Sequence, residues 1–340
     1  MELTYVRDIL DQPHALSETL AGLENTRLPP SFLAEYQAGR WQRIVLTGMG
    51  SSHYVLLPLY RRLIADGKSA WLVETAELLY STPALLTKDT LLVVASQSGE
   101  SAEIVRLMEN AGSQLTSIAI TNTPGSRLAQ RAMHTILTLA GEEGAVSCKT
   151  YITALAAQTW LGDQLIGGHP EFPLLAGVPT LVQKYLAHWQ EYVSLLKHIL
   201  QGVRHVIYTG RGDSLAAAWE AGLTTKEATL LPAEGMSSAA FRHGPEEMTG
   251  SELFVVVFEG TGAGVALNRK LAEEVKALGG RSALVRRGDA IDPFCLPDVP
   301  DPALPMLETL PFQMMTLALA EMNGVRPGEF RHGGKVTATE

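Results

Sequence analysis

Residues 91–101 read LLVVASQSGES, so five apolar residues run directly into a polar loop that holds three serines. The apolar run predicts a buried strand, and the apolar residues at 104, 105 and 108 predict a helix just after the loop. Backbone N–H groups are unpaired at a helix start, where the helix dipole favours an anion. Ser96, Ser98 and Ser101 add three hydroxyl donors, whereas a serine that merely caps a helix needs one. The pattern therefore favours a phosphate-binding loop. Gly99 has no side chain, so a phosphate can approach the backbone of this loop closely.

The composition is that of a folded protein long enough for two average domains. Of 340 residues, 46% are hydrophobic and 19% are charged. The formal net charge of −9 argues against nucleic acid or an anionic membrane as a partner. Local dipoles and a few cations must therefore hold any anionic ligand.

Cysteine and histidine usage predicts neither a disulfide framework nor a metal centre. The chain has two cysteines, Cys148 and Cys295, and nine histidines without paired spacing near carboxylates. The opening residues Met1–Thr4 lack the basic and apolar regions of a signal peptide. We therefore expect a cytoplasmic protein that needs no cofactor.

Alternating strands and helices predict an α/β fold made of two doubly wound, flavodoxin-like parallel sheets in tandem. The first half is expected to contain strands at 44–46, 70–73, 91–95, 117–121 and 135–139, with a helix over 54–64. Long helices are expected over 149–167 and 181–200, and the second half repeats the pattern with strands at 205–208 and 253–258 around a helix at 214–230. We divide the chain into an N-terminal helical segment (1–42), a phosphate-binding subdomain (43–170), a second subdomain (171–325) and a C-terminal tail (326–340).

The two halves share turn chemistry but differ in charge. The glycine turn at 209–214 echoes the one at 47–52, and the loop at 259–264 is the counterpart of the serine loop. That counterpart has one hydroxyl and carries Glu259, so it would repel a phosphate. The alternative to an internal repeat is that glycine turns follow strands in any α/β protein.

Candidate catalytic groups lie after the second glycine turn. Glu220, Thr224 and Glu227 are spaced to share one face of a helix, although such a polar line can be merely a solvated face. His243 precedes Gly244-Pro245, where a helix must stop, so its imidazole can project and shuttle protons. A lone histidine is more often structural.

These motifs resemble the sugar isomerase (SIS) domain family, and above all the isomerase portion of glucosamine-6-phosphate synthase, which is glutamine–fructose-6-phosphate aminotransferase. The resemblance covers nearly the whole chain. Its matching segments are Asp11–Pro13, Gly50–Ser52, Ser96–Ser101, Ser147–Lys149, Gly210–Asp213, Lys226–Glu227, Arg242–Pro245 and Lys335–Glu340.

The resemblance implies a role for each candidate residue. Ser51, Ser52, Ser96, Gln97, Ser98 and Ser101 would hold a sugar 6-phosphate. Glu227 would move a proton between C1 and C2 of the sugar, and His243 would open the sugar ring from the other subunit of a homodimer. Lys335 would lie near the carbonyl, where its amine could form a Schiff base. Ser147, Glu220 and Thr224 are further candidates for contacts with the sugar.

Departures from the synthase pattern narrow the expected reaction. The chain has only about 42 residues before its first predicted strand, so we expect no glutaminase domain. Thr224 stands where the synthases have a lysine, and Cys148 stands where threonine is usual; we interpret Cys148 as a small buried side chain.

Two catalytic functions and one non-catalytic function remain open. We expect a deaminase or deglycase of amino-sugar metabolism, acting on an amino-sugar or fructosamine 6-phosphate. The alternative is an aldose–ketose isomerase of a hexose 6-phosphate. A phosphosugar sensor without catalytic activity is the alternative of another class, although the short N-terminal segment argues against DNA binding.

Overall fold

A computed structural model describes residues 3–111 and 115–337, and these form two compact units. The first-sheet unit comprises His14–Glu143, Lys149–Ala176 and the described residues from Arg331 onward. The second-sheet unit comprises the described residues up to Pro13, Gly144–Cys148 and Gly177–Phe330. Within the described ranges, no helix combines the length and apolar character needed to cross a membrane.

The elements follow each other in chain order as listed here. The strands are β1 (Arg43–Gly48), β2 (Ala70–Glu74), β3 (Thr90–Ala95), β4 (Thr116–Thr121), β5 (His134–Leu137), β6 (His205–Gly210), β7 (Ala233–Ser237), β8 (Leu253–Phe258), β9 (Arg281–Arg287) and β10 (Cys295–Leu296). The helices are α1 (Thr4–Leu10), α2 (Gln12–Glu24), α3 (Pro30–Gln37), α4 (Ser51–Tyr54), α5 (Leu57–Ala65), α6 (Thr75–Tyr80), α7 (Ala102–Ala111), α8 (Arg127–Arg131), α9 (Lys149–Leu165), α10 (Val178–Leu186), α11 (Trp189–Ile199), α12 (Ser214–Thr229), α13 (Ser238–Phe241), α14 (Gly264–Ala277), α15 (Leu304–Leu307) and α16 (Thr309–Met322). Short 3-10 helices occupy Pro83–Leu85, Phe172–Leu175, Pro245–Met248 and Asp301–Ala303.

The sheet of the first-sheet unit is parallel, with the strand order β2-β1-β3-β4-β5. Every residue of β3 and β4 is buried, so both faces of the sheet are covered. On one face, Val45, Leu92 and Val94 pack with Ile104 and Met108 of α7. The apolar spacing at 104, 105 and 108 thus marks the buried face of that helix, as predicted.

The sheet of the second-sheet unit repeats this topology. Its parallel strands are ordered β7-β6-β8-β9-β10, which is the same order of strands counted from the start of the unit. Leu271 and Val275 of α14 pack against Val255 and Val257 of β8, and the largely buried α16 packs against α12. The predicted fold class, two doubly wound parallel sheets in tandem, is confirmed.

Two predicted helices are each broken in the structure. The helix expected over 54–64 is divided into α4 and α5, because Pro58 has no N–H to donate to the carbonyl of Tyr54. The helix expected over 181–200 is divided into α10 and α11. At the break, the N–H of His188 bonds to the carbonyl of Tyr185, three residues back.

Candidate functional site

The serine loop follows the carboxyl end of β3 and is held in shape by its own hydroxyls. The N–H of Gly99 donates to Oγ of Ser96 over 3.1 Å, and the N–H of Glu100 donates to Oγ of Ser98 over 3.2 Å. In both bonds the serine oxygen accepts, so each hydroxyl keeps its hydrogen to donate elsewhere. The loop is therefore held in a fixed shape in which both hydroxyls can still donate.

Gly99 is required by the path of the loop. Its φ is +64°, and a Cβ added there would lie 2.3 Å from Oγ of Ser126. The carbonyl of Gln97 accepts bonds from the N–H of Asn122 over 3.0 Å and from Oγ1 of Thr121 over 3.2 Å. These bonds join the loop to the end of β4, so its position relative to the sheet is fixed.

Ser51 and Ser52 lie at the same edge of this sheet as the serine loop. They begin α4 directly after β1, and β1 is hydrogen-bonded to β3. A Cβ added at Gly48 would lie 2.6 Å from the carbonyl oxygen of Ser52, so the chain turns back tightly there. In this strand order the sequence runs outward in opposite directions from β1 and β3, and ligands of such sheets bind in the crevice at that switch point. The structure thus brings the predicted phosphate residues to one edge of one sheet.

His53 also belongs to this edge, although the sequence did not single it out. Its half-buried imidazole follows Ser51 and Ser52 in α4, and burial lowers its pKa below the ordinary value. Its Nδ1 is buried without a hydrogen-bond partner in the part of the chain that the structure describes. The one sequence signal for a place of His53 at this site was its position directly after Ser51 and Ser52.

The tail that carries Lys335 is attached to the same unit. The carbonyl of Thr337 accepts a bond of 3.0 Å from the N–H of Ala102, the first residue of α7 after the serine loop. The Lys335 ammonium forms an ion pair with Glu143. The sequence match of the tail runs to Glu340, and its last three residues lie outside the described ranges.

The remaining candidates lie in the second-sheet unit. On α12, Oγ1 of Thr224 donates to Oε1 of Glu220 over 3.3 Å, and both residues are buried, while Glu227 is half-buried. Ser147 is half-buried in the short segment before α9, next to Cys148, which is 1% exposed as a small buried side chain should be. The polar line on α12 is therefore not a solvated face.

α12 is held close to β7 by two glycines. A Cβ on Gly222 would lie 2.3 Å from the backbone nitrogen of Gly235, and one on Gly235 would lie 2.0 Å from the carbonyl oxygen of Ala218. Backbone therefore touches backbone where the helix crosses the strand. This contact fixes the depth of the helix that carries Glu220, Thr224 and Glu227.

His243 is exposed just beyond the end of α13, as the Gly244-Pro245 pair predicted. Its neighbour Arg242 forms an ion pair with Glu274 of α14. The imidazole is thus presented to solvent from a segment that is fixed to the unit.

The second sheet has its own switch point between β6 and β8, and carboxyl groups occupy it. Glu259 follows β8 and accepts a bond of 2.7 Å from Nε of Arg269. Oγ of Ser214, at the start of α12, donates to Oε1 of the fully buried Glu308 over 2.7 Å. Burial raises the pKa of Glu308 to about 8, and Asp213 adds to that rise. Among the described residues, no three His, Cys, Asp or Glu side chains gather as metal ligands would.

Comparison with known proteins agrees with the motifs. Residues 40–166 match the family model of the SIS domain. The chain therefore contains a SIS domain. It is 31% identical to the glutamine–fructose-6-phosphate aminotransferase [isomerizing] of Pyrococcus horikoshii, over 98% of this chain and 57% of that protein. The SIS chain thus spans less than two thirds of the length of this curated relative.

Solved structures share the fold over nearly the whole chain. The C-terminal domain of glucosamine-fructose-6-phosphate aminotransferase from Francisella tularensis has a TM-score of 0.85 at 21% identity, covering 97% of this chain and 98% of that one. Glucosamine-6-phosphate deaminase from Thermotoga maritima has a TM-score of 0.75 at 19% identity, covering 98% and 99%. At these identities the likeness concerns the fold alone, and it extends through both sheets of the SIS chain.

Proposed function

We propose that this SIS protein is an enzyme that removes the amine from an amino-sugar or fructosamine 6-phosphate, as a deaminase or deglycase. The observation that carries the proposal is the attachment of the Lys335 tail to α7, whose N-terminus follows the serine loop. An amine held in the same unit as a phosphate seat suits the handling of a carbonyl on a phosphorylated sugar. The aminotransferase and deaminase names of the similar proteins point to the same substrate class.

The proposed reaction is one proton transfer followed by hydrolysis. The serine loop, Ser51 and Ser52 bind the 6-phosphate, and the sugar ring opens. Glu227 then moves a proton between C1 and C2, which converts the carbon–nitrogen single bond into an imine. Water adds to the imine carbon, the amine leaves, and a sugar 6-phosphate with a free carbonyl remains.

Release assays separate the candidate reactions. We expect the purified protein to release ammonia from glucosamine 6-phosphate, or an amine from a fructosamine 6-phosphate, together with one sugar phosphate per amine. Interconversion of fructose 6-phosphate and glucose 6-phosphate without amine release would indicate the aldose–ketose isomerase instead. Tight phosphosugar binding without turnover of any of these compounds would indicate a sensor.

The role of Glu227 is tested by Glu227→Gln, which keeps the shape of the side chain but cannot take a proton. We expect at least a hundredfold loss of turnover with unchanged phosphosugar binding, since general base catalysis is typically worth about 10²–10⁴. Glu273→Gln, at an exposed position of α14, is the matched control. Unchanged turnover in Glu227→Gln would remove the base assignment.

We also propose a homodimer in which the partner subunit's His243 opens the sugar ring. Light scattering gives the mass in solution directly. Coexpression of Glu227→Gln and His243→Ala protomers provides the sharper test, because activity returns in the mixed dimer only if the two residues of a site come from different chains. A monomeric active enzyme would contradict this arrangement.

A further inference from the structure

The amine of Lys335 is held at a fixed place in the first-sheet unit. The backbone of its tail is tied to α7 by the bond from the N–H of Ala102 to the carbonyl of Thr337. Lys335 lies two residues before Thr337, and its ammonium pairs with Oε2 of Glu143. The lysine side chain is 24% exposed, so the ion pair holds a side chain that remains partly open to solvent.

Glu143 is itself fixed by the start of α9. Its side chain is fully buried, its Oε1 accepts a 3.0 Å bond from the N–H of Thr150, and its Oε2 accepts a 2.6 Å bond from Oγ1 of Thr150. Thr150 lies in the first turn of a 17-residue helix, where N–H groups lack intrahelical partners and the dipole favours a carboxylate. The carboxylate is therefore held in a fixed orientation by Thr150.

We propose that Glu143 is the positioning residue and proton acceptor for Lys335, an inference that rests on the proposed function. When the open-chain sugar carbonyl approaches, the ammonium gives a proton to the Glu143 carboxylate, and the neutral amine forms the C–N bond. The carbonyl oxygen takes a proton from that nitrogen and then a second one from Glu143, and it leaves as water. A protonated Schiff base of Lys335 and an ionised Glu143 remain, so atoms and charges balance.

Reductive trapping measures this step without needing turnover. Purified protein is incubated with fructose 6-phosphate and cyanoborohydride, and mass spectrometry gives the rate at which the adduct on Lys335 appears. We expect Glu143→Gln to form the adduct at least tenfold more slowly at pH 7. We also expect its rate to rise about tenfold per pH unit, because the lysine must then lose its proton to bulk solvent. The wild-type rate should change much less over the same range.

The controls separate positioning from mere stability and from failure of the proposed function. Glu142→Gln alters the neighbouring exposed carboxylate and should behave as wild type. Thr150→Val keeps the acid but removes one of its bonds, so a few-fold slower rate with the wild-type pH slope is expected, and Thr150→Ser should restore the rate. Should Glu143→Gln fail to fold, wild-type trapping in Thr150→Val would overturn the inference.

The outcomes for the two proposals differ. An adduct that forms at the same rate and with the same pH slope in wild type and Glu143→Gln would overturn the role of Glu143 alone. No adduct in the wild type, at phosphosugar concentrations shown by calorimetry to saturate the protein, would overturn the lysine chemistry on which that role depends. An adduct in wild type that is lost in Lys335→Ala and slowed in Glu143→Gln would support both.

Discussion

Replacing Glu308 by glutamine should abolish a large pH dependence of stability in the second-sheet unit. Glu308 is fully buried before α16, and burial raises its pKa from 4.5 to about 8, although Oγ of Ser214 donates to Oε1. Because the folded-state pKa is raised, the folded protein binds this proton more tightly than the unfolded chain does. The resulting stability is fully present below pH 4.5 and is lost as the pH rises through about 8.

The size of the effect follows from the two pKa values. Each pKa unit corresponds to about 1.4 kcal/mol, so titration of Glu308 should lower the free energy of unfolding by about 4 kcal/mol between pH 5 and pH 8.5. Glutamine does not titrate, and its amide oxygen can still accept the bond from Ser214. As the pH rises from 5 to 8.5, the free energy of unfolding of Glu308→Gln should therefore increase by about 4 kcal/mol relative to that of the wild type.

Urea unfolding followed by circular dichroism at a series of pH values tests this expectation. Glu18→Gln, at an exposed position on α2, serves as the control for pH effects common to all variants. Parallel curves for wild type and Glu308→Gln would refute the reasoning, since they would show that the proton affinity of this carboxyl is the same in both states.

Three further substitutions test the candidate site and its scaffold. Gly99→Ala should weaken phosphosugar binding at least tenfold, because the new Cβ would collide with Oγ of Ser126. Its control is Gly67→Ala, which is also at positive φ but in open space and should leave binding measured by calorimetry unchanged. Ser98→Ala should weaken that binding by about one to two orders of magnitude, since a hydrogen bond to a charged group is worth about 1.5–3 kcal/mol. Gly222→Ala should lower the free energy of unfolding by about 3 kcal/mol in urea titrations, because it pushes α12 away from Gly235. A stable Gly222→Ala would show that the helix can move outward at little cost.

The sheets and the serine loop could be predicted because their signals are local. Apolar runs such as 91–95 are long enough to mark buried parallel strands, and a helix that begins after polar turn residues can be identified from spacing alone. The predicted helices over 54–64 and 181–200 were wrong in their continuity. Pro58 marks the first break in the sequence itself, whereas the break at His188 has no such local marker.

The roles of single side chains depended on contacts that no local pattern shows. The line of Glu220, Thr224 and Glu227 was equally consistent with a solvated face, and burial of the first two decided against that interpretation. His53 was missed, because a histidine in a short helix acquires its lowered pKa only from the packing around it. The assignments of Glu227, His243 and Lys335 to chemical steps stay predictions.

The sequence by itself determined two repeated α/β sheets, a loop with the chemistry of an anion seat, and a resemblance to the SIS domain family. Only the tertiary structure paired Lys335 with Glu143, 192 residues away, and Ser214 with Glu308, 94 residues away. Local patterns record which residues are apolar and where backbone amides are free, because those preferences act over one turn or one strand. Which carboxylate lies beside which amine depends on how distant segments pack, and so it becomes visible only in the folded chain.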